Sequence, residues 1–208
     1  MRRFAACVTL LVCAGFGFEC CASAQLPSSA NIMGRWRSLE TSKGGIGAII
    51  EFRSDGTVDF SPGAVVEMPW RVENSQIILP PATDGGADRK TNLKWLGDDN
   101  LSLVSEDSVI SLARVGDHAN TGSSFIGEWI EIREMAGRKL EAHWLVYPGG
   151  KLLFLMPFAT LHGSYTISGS RLQFVVRGLK PEQRFELSDN QLILSEPDGG
   201  HKDRYARY

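Results

Sequence analysis

Five blocks of this sequence occur twice, in the same order, and that repeat limits the fold more than any other feature. Ile32-Met33-Gly34-Arg35-Trp36 matches Phe125-Ile126-Gly127-Glu128-Trp129. Phe52 to Val58 matches Val146 to Leu152, and Trp70 to Ile77 matches Tyr165 to Leu172. Asn100 to Leu103 matches Gln191 to Leu194, and Leu112-Ala113-Arg114-Val115 matches Tyr205-Ala206-Arg207-Tyr208. The offsets stay between 91 and 95 residues. A leader at 1–24, one copy at 31–116, a polar linker at 117–123 and a second copy at 124–208 follow from this layout.

Each copy reads as a string of short strands. Ile46, Ala48, Ile50 and Phe52 alternate with more polar neighbours, as do Val66, Met68, Trp70 and Val72. In the second copy Leu172, Phe174 and Val176 do the same. Turn residues separate them, among them Ser54-Asp55-Gly56, Pro148-Gly149-Gly150 and Pro197-Asp198-Gly199-Gly200. About eight strands of ordinary length fit in each copy, and no stretch keeps helical periodicity for three turns. Short connections place successive strands side by side as antiparallel neighbours. A meander of this kind loses its open edges by closing into a barrel.

The N-terminus has the three-part layout of a secretory signal peptide. Arg2 and Arg3 precede an uncharged apolar run from Phe4 to Phe18, and Ala22-Ser23-Ala24 precedes Gln25. The run is short for a membrane span, so none is expected after cleavage. Glu19 before Cys20 argues against a lipoprotein signal. Cys7, Cys13, Cys20 and Cys21 all precede the expected cut. A chain beginning at Gln25 then has neither disulfide nor thiolate metal site, and a periplasmic or secreted location is expected. Hydrophobic residues make up 43% of the 208, enough for a core and against disorder. A formal net charge of −2 leaves no electrostatic footprint for nucleic acid.

Gly34-Arg35-Trp36 and Gly127-Glu128-Trp129 resemble the Gly-x-Trp that opens the first strand of lipocalins and related calycin barrels. The resemblance implies two tandem antiparallel up-and-down β-barrels. It also implies an Arg or Lys on the last strand packed over that Trp to close one barrel end. Arg114 and Arg207 stand at that place in the last strand of each copy. Each copy is much shorter than a lipocalin, so side chains are expected to fill the interior rather than leave a roomy cavity. If a pocket exists, Trp70, Trp95, Trp144 and Tyr165 are the candidate ligand-binding residues, and aromatic walls suit a small hydrophobic ligand.

The copies differ on one outward face. Glu51, Arg53, Asp59 and Ser61 of the first become Leu145, Tyr147, Leu153 and Leu155 of the second. Four apolar side chains on one hairpin make a patch that needs a cover. Contact between the copies is the preferred reading, with a homodimer or a foreign protein partner as the others.

Catalytic and cofactor signals are missing. No Gly-x-Ser-x-Gly occurs; the nearest run, Gly122-Ser123-Ser124-Phe125-Ile126-Gly127, has the wrong spacing. Gly45-Ile46-Gly47 sits inside a strand pattern and lacks a third glycine. His118, His143, His162 and His201 show no metal-ligand spacing, and Asp98-Asp99 and Glu106-Asp107 read as solvated turns. No catalytic residue, metal or cofactor is expected. The functional expectation is an exported, non-catalytic binding protein for a small hydrophobic ligand. Two alternatives stand beside it. One is a protein-binding module, since Leu26-Pro27-Ser28-Ser29 ahead of Gly34-x-Trp36 resembles the front of small bacterial metalloprotease inhibitors. The other is a structural envelope protein.

Overall fold

A computed structural model describes residues 32–81, 85–116, 124–188 and 190–208. The leader with its four cysteines, the strip from Gln25 to Ala30 and the linker 117–123 lie outside the described residues. The first copy holds β1 (Gly34–Ser38), β2 (Ile46–Phe52), β3 (Thr57–Pro69), β4 (Arg71–Glu73), β5 (Gln76–Leu79), β6 (Arg89–Trp95), β7 (Asn100–Val104) and β8 (Val109–Arg114). The second holds β9 (Gly127–Met135), β10 (Arg138–Tyr147), β11 (Lys151–Pro157), β12 (Leu161–Ser168), β13 (Arg171–Val176), β14 (Glu182–Ser188), β15 (Gln191–Ser195) and β16 (Lys202–Arg207). All pair antiparallel, as the short turns between them require.

Eight strands close into an antiparallel barrel. Its order is β3-β2-β1-β16-β15-β14-β13-β12, and β12 returns to β3 with Leu161 opposite Phe60 and Ser164 opposite Thr57. The remaining strands, β4 to β11, follow one another around a second core. One side of this array ends on β11, which pairs with the later part of β3, Pro69 opposite Lys151 and Gly63 opposite Pro157. The other side ends on β4, which continues β3 after Trp70 alone. The Trp70 N–H donates to the Gly150 carbonyl at 2.8 Å, so β3 and β4 act there as one bent strand with β11 on one flank and β5 on the other.

The expected layout, one barrel per copy, is not what the pairing gives. The closed barrel takes β1, β2 and the start of β3 from the first copy and β12 to β16 from the second. The array takes the rest of both. The physical cause is the length of β3. At thirteen residues it overruns one core and enters the other, and its side chains alternate faces. Val58 and Phe60 point into the barrel core, while Ala64, Val66 and Met68, on the same face, reach the array core. Val65 on the opposite face meets Leu145, Leu153 and Leu155 in a third cluster between the two bodies. Pro62-Gly63, a dipeptide that ordinarily turns the chain, is held extended here against β11, and a side chain on Gly63 would run into the Met156 carbonyl. No helix among the described residues is long and apolar enough to cross a membrane.

Candidate functional site

The repeated Gly-x-Trp and its arginine build the same closure twice. Trp36 is fully buried and its indole N–H donates to the Ile32 carbonyl at 2.8 Å; that of Trp129 donates to the Phe125 carbonyl at 2.8 Å. The Arg207 guanidinium lies 4.4 Å from the Trp36 ring centre and donates to the Met33 carbonyl at 2.6 Å. Arg114 lies 4.1 Å from the Trp129 ring and donates to the Ser124 carbonyl at 2.6 Å. Each cation therefore has both an indole face and a carbonyl partner. The glycines are needed because the arginine crosses over them. Gly34 and Gly127 have φ of 118° and 138°, and an added Cβ would stand 2.9 Å and 3.0 Å from the guanidinium nitrogens. The pairing is crossed: each copy's Trp is covered by the other copy's Arg.

The four candidate ligand-binding aromatics are not brought to one site. Trp70, Trp95 and Trp144 pack in the array core and Tyr165 packs in the barrel core. Trp70 meets Phe125 edge-on at 5.4 Å and Trp95 leans on Trp129 at 5.9 Å. The Tyr165 hydroxyl donates to the Arg53 carbonyl at 2.9 Å, with its ring edge-on to Phe52 at 5.0 Å. Trp144 packs edge-on to Phe154 at 5.6 Å, and its indole N–H donates to Glu131 at 2.9 Å. Glu131 is only 7% exposed and also accepts from Arg133 at 2.7 Å, while Arg133 lies 4.8 Å from the Phe154 ring. This end of the array is thus filled by two aromatics and an ion pair.

The barrel differs at the matching place. Ile50 stands where the array has Trp144, and Ser38 where it has Glu131. At the end opposite Arg207 the barrel opens into a cavity of about 280 Å³. Its walls are Ile50, Phe60, Phe174, Val176, Leu194 and Tyr205, with Arg177 and Asp203 at the polar edge. Leu179, 71% exposed, overhangs this mouth on the turn between β13 and β14, where Val176 and Leu179 exchange backbone hydrogen bonds at 3.0 Å. Residue-by-residue reading of the sequence missed the mouth because it sought large aromatics. The signal was the small member of the matched pair Ile50 and Trp144.

The apolar hairpin patch lies at the seam between the bodies. Leu145, Leu153 and Leu155 are buried against Ile49 and Val65, with Tyr147 and Tyr208 packed beside them. Beside this cluster, Arg35 and Glu128, the middle residues of the two Gly-x-Trp motifs, form a two-pronged ion pair at 3.1 Å and 3.2 Å. His143 sits between Glu128 and Glu141, 3.1 Å from each. The hydrogen bond from His143, and after it the one from Arg35, hold the Glu128 carboxyl at about 2. Burial pushes the Tyr208 hydroxyl up to about 12. A second cleft of about 460 Å³ borders the seam, with Glu51, Asp59, Arg138 and His143 among its walls. Asp59 is already bound there by Arg53 at 2.5 Å and by His162 at 2.7 Å. Among the described residues no three His, Cys, Asp or Glu side chains are grouped to hold a metal ion. Asp98, Asp99, Glu106 and Asp107 are exposed on turns.

Compared with known proteins, the chain matches no family model, no curated protein and no solved structure.

Proposed function

We propose that this chain is an exported, non-catalytic binding protein whose barrel mouth takes one small hydrophobic ligand. The observation that carries the reading is the apolar cavity of about 280 Å³ at the end of the barrel that Trp36 and Arg207 leave open. That volume sits at the lower limit of ligand pockets, which run from about 300 to 1,000 Å³. Its walls offer aliphatic and aromatic surface, and its edge offers one cation and one anion to orient a polar end. In this reading the barrel and the array are two lipocalin-like units of one chain, the first kept open and the second filled. The basic, apolar and small-residue order of the leader supports export to the periplasm or beyond.

Fluorescence titration with N-phenyl-1-naphthylamine, a small apolar probe, tests the reading. The chain from Gln25 should show saturable enhancement corresponding to one bound probe. Ile50→Trp, which places the array's own residue in the mouth, should abolish it and leave the folded spectrum intact. Absence of saturable binding, or equal binding by Ile50→Trp, would overturn the reading.

A further inference from the structure

The array has an opening in its wall that the barrel lacks. β8 and β9 pair only through Ala113 opposite Ile130 and Arg114 opposite Trp129, with the Val115 N–H donating to the Glu128 carbonyl beyond. The corresponding seam of the barrel, β16 with β1, pairs Arg207, Ala206 and Tyr205 with Trp36, Arg37 and Ser38. It continues through the Leu39 N–H to the Arg204 carbonyl, and Arg204 then clamps Glu40 at 2.8 Å and 2.6 Å. Ser111 and Arg133 occupy the two matching positions of the array, and Arg133 turns to Glu131 instead. Among the described residues nothing there replaces the clamp, and both strands line a cleft of about 380 Å³.

The backbone alternation says what faces this gap. The Arg114 N–H bonds the Asp99 carbonyl and the Ser105 N–H bonds the Ser108 carbonyl, so the even-numbered residues of β8 are those hydrogen-bonded to β7. Val109 and Ser111 therefore direct their N–H and C=O groups toward β9. By the same count from Val115 and Glu128, Ile132 and Glu134 direct theirs toward β8. Among the described residues β7 and β10 pair with the four on their outer flanks, and no strand pairs with any of them on the side of the gap. Val109 is 66% and Ile132 is 59% exposed, which places apolar side chains beside the open backbone. Glu106, Asp107 and Glu134 stand at the wide end of the gap; Lys139 faces Glu134 on the far side of β9.

We propose that the gap between β8 and β9 is a strand-addition site for an extended polypeptide segment with apolar side chains at alternate positions and a basic end. Only an extended backbone can satisfy two facing rows of donors and acceptors at strand spacing. Val109 and Ile132 give the alternate apolar contacts, and the acidic end sets the direction of the segment.

The test is a fluorescence-anisotropy titration of the chain from Gln25 with a labelled peptide of alternating valine and threonine flanked by lysines. Saturable binding is expected. Ser111→Pro removes an N–H that faces the gap and leaves the β7 ladder untouched, as proline does on an edge strand. It should weaken the peptide at least about tenfold while probe binding in the barrel mouth is unchanged. Val109→Lys, at an exposed side chain, should weaken it as well, and a peptide N-methylated at alternate residues should lose the same affinity. No saturable binding by the parent chain, or equal binding by Ser111→Pro or by the N-methylated peptide, would overturn the proposal. A dimer of the chain that Ser111→Pro dissolves would also overturn it, by giving the gap to a second copy.

Discussion

The barrel and the array carry the same motifs and end as different objects. Both are shut at one end by a buried Trp under an Arg, at 4.4 Å and 4.1 Å. At the other end Ile50 leaves a cavity in the barrel, whereas Trp144 with Glu131 and Arg133 fills the array. Along the last seam Arg204 and Glu40 hold the barrel together, and the array opens between Ser111 and Arg133. A repeated sequence therefore kept its closure and let the opposite end and one seam diverge. A few side chains, not the strand layout, separate a body with an interior from a body with an open wall.

The largest effect should come from removing what fills the array. Trp144→Ala empties a packed site and strips a buried carboxylate of one donor. It should cost about 3–5 kcal/mol with a further penalty for Glu131, measured by urea unfolding. Ile50→Ala in the barrel, beside space already open, should cost less. Equal losses would break the comparison.

A smaller and symmetrical effect is expected at the shared closure. Arg114→Ala and Arg207→Ala each remove a guanidinium from an indole face, worth about 1 kcal/mol for a cation that keeps contact with solvent, together with a bond to a backbone carbonyl. The two losses should agree. In double-mutant cycles Arg207 should couple to Trp36 and not to Trp129. Coupling within each copy would contradict the crossed closure.

The smallest effect lies at the seam and should not distinguish the bodies. Glu128 is held at about 2, from an ordinary 4.5. A depressed carboxyl contributes its stability above about 4.5 and loses it as the pH falls through about 2. Arg35 is 39% exposed, so the contribution is discounted to about 1 kcal/mol and should fall with added salt. Glu128→Gln should flatten the acid limb of the stability curve between those values. An unchanged acid limb would remove the pair from the account.

Much of this was legible in the sequence. The alternation of Ile46 to Phe52 gave β2, and the paired Gly-x-Trp and Arg residues gave both closures. The apolar face of Leu145, Leu153 and Leu155 marked the surface where the two halves meet. The crossing was not legible, because Arg114 and Arg207 are chemically equivalent partners for either Trp. What decides it is local to β3. A Pro-Gly dipeptide ordinarily turns the chain, and a turn at Pro62-Gly63 would have folded Val66 to Val72 back as a separate strand of the same copy. The chain runs straight through those two residues and kinks only at Trp70. The mouth was missed for a related reason. An aromatic such as Trp144 suits a ligand wall and a packed core equally well, and only its contacts with Phe154 and Glu131 decide between them.

The crossing itself is the central claim, and a disulfide cross-link tests it most directly. Thr57 and Ser164 are register partners from different copies on β3 and β12. Thr57 and Pro69 lie on one extended strand, about 40 Å apart at strand rise. In a chain from Gln25, Thr57→Cys with Ser164→Cys should cross-link on oxidation, and Thr57→Cys with Pro69→Cys should not. The reverse outcome, a bond between positions 57 and 69 and none between 57 and 164, would return each copy to its own barrel and contradict the account.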